Sequence, residues 1–180
     1  MKIIKTGIPD TTSVLAALDR NDYTDAFYCK FNCSHPVSID DVIHAFFDSA
    51  PSWVHHMFTI RDVVASKLGL KTISRKEREQ MRKSFSIQPG NSIGLFKVLS
   101  KSEEEVIMGE DDKHLNFRVA FLLNALDAES YALHFITTVK IHNWLGKLYF
   151  LPVKPMHALV VKSMMKGTVK RIVKQSTSLP

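Results

Sequence analysis

Two periods divide the second half of the chain. Between residues 92 and 142 apolar and polar positions alternate, as they do along strands with one buried face. From about 145 to 174 apolar residues recur at three, four and seven, as on a helix. The alternation predicts strands near 93–100, 103–109, 113–124 and 130–142. In the third, Leu115, Phe117, Val119, Phe121 and Leu123 share one face, against His114, Asn116, Arg118 and Ala120. The fourth sets Tyr131, Leu133, Phe135, Thr137, Val139 and Ile141 against Ala132, His134, Ile136, Thr138, Lys140 and His142. In the helical stretch Leu148, Tyr149, Met156, Leu159, Val160 and Met164 predict an apolar stripe. Lys162, Lys166, Lys170 and Lys174 recur every four residues as a charged one. Proline suits a first helical turn and damages an interior, so regular helix is expected from Pro155, with 145–154 as a lead-in. Gly167 reads as a weak point within it.

The first half is less periodic. Residues 1–22 read as an irregular arm. Residues 23–33 predict a strand with Phe27, Cys29, Phe31 and Cys33 on one face and Tyr28, Lys30 and Asn32 on the other. Ser38 followed by Asp41 predicts a capping box for a short helix over 39–48. Trp53, Met57, Ile60, Val64 and Leu68 predict a second helix that opens at Pro51, with Gly69 placed to end it. Residues 71–91 form a basic connecting segment that closes on a Pro89-Gly90-Asn91 turn. A strand, two short helices, four antiparallel strands and a long helix give an α+β fold. The expected outcome is a curved antiparallel sheet packed around the C-terminal helix, with room for a cavity between them.

Composition narrows the function classes. A chain of 180 residues reads as one domain, large enough for a real core. No apolar run approaches the ~20 residues a membrane helix needs, and Met1–Pro9 lacks the apolar segment of a signal peptide, so the expected location is cytoplasmic. Cys29 and Cys33, four residues apart on a strand and therefore ~13 Å apart, are expected to be buried thiols rather than a disulfide. The net charge of +6 is uneven: residues 154–174 hold six bases and no acid, and residues 71–83 hold six bases and two acids. Such patches suit an acidic lipid surface or a partner protein by peripheral contact. No recognition helix, zinc spacing or paired-aromatic strand motif points to nucleic acid.

Four stretches carry a family resemblance. They are PSWVHHMFTIRDVVASKLGLK at 51–71, GEDDKHLNFRV at 109–119, TTVKIHNWLGKLYF at 137–150 and PMHALVVKSMM at 155–165. Together they resemble a bacterial family of unknown function, DUF2867. The order of elements resembles the helix-grip fold of the START and Bet v 1-like (SRPBCC) superfamily, which includes polyketide cyclases. That resemblance implies a cavity for a hydrophobic small molecule or lipid. Some relatives carry this region behind a nucleotide-binding domain. This chain has no Gly-rich fingerprint, so no cofactor is expected.

The candidate site residues follow from the fold analogy and from local chemistry. Arg118 interrupts an apolar strand; on a cavity face it would need an anionic partner, and on a solvent face it would pair with Glu110 or another acid. His142 and Trp144 end the last strand at the expected cavity mouth. Tyr149 and His157 are placed to point inward from the lead-in and the helix. Glu110, Asp111 and Asp112, with His114 beyond, form an acidic loop suited to acid–base work, though without a calcium-loop pattern. A cyclase- or dehydratase-like activity would draw on His142, Arg118 or this loop. Lys162, Lys166, Lys170 and Lys174 make the basic face.

Overall fold

The computed structural model describes residues 1–67, 77 and 85–176. Seven strands form one antiparallel sheet: β1 (Ile4–Thr6), β2 (Tyr23–Asn32), β3 (Ser92–Ile93), β4 (Phe96–Lys101), β5 (Glu105–Asp111), β6 (Leu115–Ala125) and β7 (Ser130–Ile141). Their spatial order is β1-β2-β7-β6-β5-β4-β3. The meander therefore folds back so that its last strand pairs along the whole of β2, from Tyr23 opposite Val139 to Asn32 opposite Ser130. The helices with described bounds are α1 (Ile39–Asp48), α2 (Ser52–Lys67) and α3 (Trp144–Ser176). The architecture is α+β, a helix-grip arrangement in which one sheet face holds α3.

Alternation decides which face is which. Phe117, Val119, Phe121 and Leu123 of β6 join Phe27, Cys29 and Phe31 of β2 and Leu133 and Phe135 of β7 in the main core. α1 lies on this same inner face beside α3. Its capping box is formed: Ser38 Oγ accepts from Asp41 N at 3.1 Å, and Asp41 Oδ2 accepts from Ser38 N at 2.9 Å. Phe46 of α1 packs on Phe135 and edge-on to Phe121, with ring centroids 5.2 and 4.8 Å away. The middle of the space between sheet and helix is thus filled by aromatic rings.

The opposite face is drier than an exposed sheet face. Ala26, Ile107, Ala120, Leu122 and Ile136 form a smaller cluster there, capped by Val14 from a 3-10 turn at Val14–Ala17 and by Ile8. The N-terminal arm is therefore structural cover. It is tied down where Lys140 meets Asp19 at 2.6 Å and where Asp22 accepts the Ile141 amide at 2.7 Å.

Several expectations change. Helix α3 begins at Trp144, well before Pro155, and carries Pro152 and Pro155 inside it. Asn143 caps it, its Oδ1 accepting from Gly146 N at 3.0 Å. Both prolines lie on the exposed side, and their missing N–H groups remove the helical donors to the carbonyls of Leu148 and Leu151. The buried stripe is Val161, Met164, Met165, Val169 and Ile172, while Leu148 and Leu159 are exposed. Gly167 is a contact point rather than a weakness: a Cβ there would come within 2.8 Å of Ser49 Cβ, so its absence lets α1 and α3 approach closely. In α2, Val54 is buried and Trp53 is partly exposed, the reverse of the predicted stripe at that turn. The side chains of Ile60 and Val64, residues Leu68 and Gly69, and most of the basic segment, 71–76 and 78–84, lie outside the described residues. The Pro89–Gly90 turn is present, with Gly90 at φ 97°. Cys29 and Cys33 are buried free thiols.

Candidate functional site

The inner sheet face is apolar until its end beside the first half of α3. The β2–β7 register places Phe27 opposite Phe135 in the core, then Asp25 opposite Thr137, then Tyr23 opposite Val139 at the margin. Phe150, Lys154 and His157 are spaced by four and three, so they lie on one side of α3. The Tyr23 ring meets Phe150 edge-on at 5.0 Å, and Lys154 Nζ sits 5.6 Å from the Tyr23 ring centroid.

His157 closes the cluster from above. Its Nε2 lies 3.0 Å from Thr137 Oγ1 and 3.4 Å from Asp25 Oδ1. The Tyr23 hydroxyl donates to Asp25 Oδ2 at 2.6 Å. The Asp25 side chain is 1% exposed and that of His157 is 18% exposed. At 3.4 Å, Asp25 Oδ1 is in ion-pair reach of the imidazole but outside hydrogen-bond geometry, so this buried oxygen has no hydrogen bond among the described residues.

The electrostatics follow from burial and pairing. Burial pushes the Asp25 carboxyl up. The His157 imidazole beside it, the Tyr23 hydroxyl and the charge of Lys5 outweigh it and hold the group below its ordinary value. The Tyr23 phenol is pushed up, by burial first and then by its hydrogen bond to the carboxylate. Asp25 is thus a fixed buried anion, and it orients an imidazole that reaches solvent. The carboxylate and Thr137 Oγ1 both face the same imidazole nitrogen, so the ring is held from one side.

Only one expected ligand-binding residue, His157, belongs to this cluster. Arg118 faces the other side of the sheet, 7% exposed, over the space left by Gly109 on β5. It pairs with Asp111 at 2.7 Å, and its Nη1 donates to the Phe117 carbonyl at 2.9 Å. Glu110 and Asp111 are part of β5 rather than a loop, and Asp112 turns the chain, accepting from the Lys113 amide at 2.6 Å. Among the described residues no three His, Cys, Asp or Glu side chains gather as metal ligands. His142 is exposed at the strand end, its Nε2 2.8 Å from Asn116 Oδ1. It shares a shallow recess with Arg20, Asp22, Trp144 and Lys147. Trp144 points into solvent and walls no interior, and Tyr149 is half-buried. Lys162, Lys166, Lys170 and Lys174 are all exposed along α3. Sequence reasoning missed Asp25 and Tyr23 and placed Thr137 only as one member of an apolar strand face. The available signal was the period itself: continued back from Phe27, the inward positions fall on Asp25 and Tyr23.

An α+β helix-grip chain with a buried acid–imidazole pair at one end of its inner sheet face is the class that the fold defines. The chain belongs to the family described as "Protein of unknown function (DUF2867)", which it matches over residues 17–164. No curated protein matches it. Among solved structures it is similar to a conserved protein from Geobacillus kaustophilus, with 14% identity and a TM-score of 0.34. That alignment covers 44% of this chain and 55% of the other, so the chain spans little more than half of that protein. No helix among the described residues is long and apolar enough to cross a membrane.

Proposed function

We propose that the chain binds an apolar small molecule at the open end of the sheet–helix interface, with the polar end of that molecule on His157. The observation that carries this is the buried Asp25–His157 pair, set in a face that is otherwise apolar. Such a pair stabilises a fold weakly or not at all relative to apolar residues of the same volume. Titratable groups with shifted pKa at the edge of an apolar surface are characteristic of sites. The filled middle of the interface moves the site from a central cavity to this end, where Tyr23, Phe150 and Lys154 frame it. Lys154 favours a molecule with an acidic or hydroxyl head over a cationic one.

A second reading is favoured by the same alignment. An imidazole held by a buried carboxylate is arranged for proton transfer, so a cyclase- or dehydratase-like reaction would use His157 as acid or base and Asp25 as its orienting partner. His142, Arg118 and the 110–112 acids lie away from it and would have no part.

Native mass spectrometry of the chain, purified gently from its own host, tests the binding reading. We expect a bound mass of a few hundred daltons in wild type and its loss in a folded Asp25→Leu/His157→Leu variant. Retention of that mass in the folded variant would overturn the site. An apo wild-type protein whose melting temperature does not rise with alkyl carboxylic acids or alkanols would overturn the binding reading itself.

A further inference from the structure

The outward side of α3 has a different character from its inward side. Trp144, Leu148 and Leu151 are spaced by four and three and are 73%, 52% and 70% exposed; Leu159, two turns further on, is 57% exposed. Pro152 and Pro155 lie between them, also exposed. The same outward side continues as Lys166 and Lys170, with Lys162 at its flank, its Nζ 5.7 Å from the Phe27 ring centroid, and Lys147 flanks the tryptophan. From Trp144 to Ser176 there is no acidic residue. The inward side is fixed on the sheet and on α1 by Val161, Met164, Met165, Val169 and Ile172, so the outward side is held as a pre-formed surface.

We propose that this outward face of α3 docks on an anionic lipid bilayer, with Trp144, Leu148, Leu151 and Leu159 in the headgroup–acyl boundary and the lysines at the phosphates. Two features favour a bilayer over a second copy of the chain. A two-fold dimer through this helix sets lysines against lysines or against the apolar half, and α3 offers no carboxylate to balance them. A bilayer accepts both halves at once, because the apolar and the cationic residues share one line along a helix about 50 Å long. Tryptophan, with an apolar body and one N–H donor, suits that boundary. None of these residues belongs to the Asp25–His157 cluster, so the two proposals stand or fall separately.

The test uses the full chain in a Trp53→Phe background, which leaves Trp144 as the one tryptophan of the two present. The probes are vesicles of phosphatidylcholine with phosphatidylserine, and of phosphatidylcholine alone. We expect co-sedimentation and a blue shift of Trp144 emission with the anionic vesicles at low salt, both reversed by added salt. Each lysine near an anionic surface is worth about fivefold in partition, so Lys166→Gln/Lys170→Gln should weaken binding about 25-fold. Separately, Trp144→Ser/Leu151→Ser, made without the Trp53 change, should abolish sedimentation while leaving circular dichroism and the thermal midpoint unchanged. Absence of sedimentation and of the blue shift at low salt overturns the proposal. So does equal binding to neutral vesicles with no effect of the lysine changes. A concentration-dependent dimer in sedimentation velocity that Trp144→Ser/Leu151→Ser dissolves, without vesicle binding, assigns the face to a second copy instead.

Discussion

His157→Ala isolates the cost of a buried charge in this fold. It removes the imidazole from a carboxylate that is 1% exposed and leaves the Tyr23 hydroxyl as its hydrogen-bond donor. Loss of one partner from a fully buried pair costs roughly 3–5 kcal/mol. His157 is itself 18% exposed, so the vacated volume opens to water and the cost is smaller. We expect about 2–3 kcal/mol near neutral pH, a fall in melting temperature of about 4–12 °C for a chain of this size. The pH dependence has a definite sign. In wild type the folded Asp25 pKa lies below its ordinary 3.8, so its contribution is present above that pH and lost as pH falls through the folded value. Without His157, burial is opposed only by Tyr23 and Lys5, and the carboxyl moves up. The variant is then penalised at neutral pH and recovers as Asp25 takes a proton. The gap to wild type should narrow as pH falls from neutral through the carboxyl's raised value. Replacing both partners, Asp25→Leu/His157→Leu, should return stability to within about 1 kcal/mol of wild type or exceed it. Urea unfolding followed by circular dichroism across pH measures all three proteins. A His157→Ala deficit under about 0.5 kcal/mol, or one that does not change with pH, would refute the reasoning.

Three further outcomes follow from particular contacts. Gly167→Ala should destabilise by about 1–2 kcal/mol in urea unfolding, although alanine is the better helix former, because its Cβ meets Ser49; a more stable variant would contradict the close α1–α3 packing. Ser38→Ala should cost about 1 kcal/mol by the same measurement, through loss of the capping box. Burial pushes the Cys29 thiol up to about 11. Labelling by a thiol reagent near neutral pH should therefore wait on unfolding, and fast labelling of the native protein at Cys29 would count against its burial.

Local signals carried far along this chain. The capping box at Ser38 and Asp41, the turn at Pro89-Gly90 and the alternation of β6 and β7 are read from a few neighbouring residues, because hydrogen-bond geometry and side-chain period act at short range. So is the row of exposed lysines on α3. Other features needed partners distant in sequence. The alternation of β2 put Asp25 and Tyr23 in line with Phe27, but only the pairing of β2 with β7 set Asp25 beside Thr137 and beneath His157. Arg118 alternates with apolar residues on either sheet face. The N-terminal arm and Gly109 decided that it lies away from α3, paired to Asp111. The helical stretch from 144 holds apolar residues on two sides, so its period could not choose between them. Packing on the sheet and on α1 buried Val161, Met165 and Ile172 and left Leu148 and Leu159 in water. The sequence by itself determined the long strands, the two early helices, their order and the charge along the last helix, but neither strand β1 in the N-terminal arm nor the start of the last helix at Trp144. The tertiary structure decided which face of each is inside, because burial is a property of what arrives opposite and not of the residue alone.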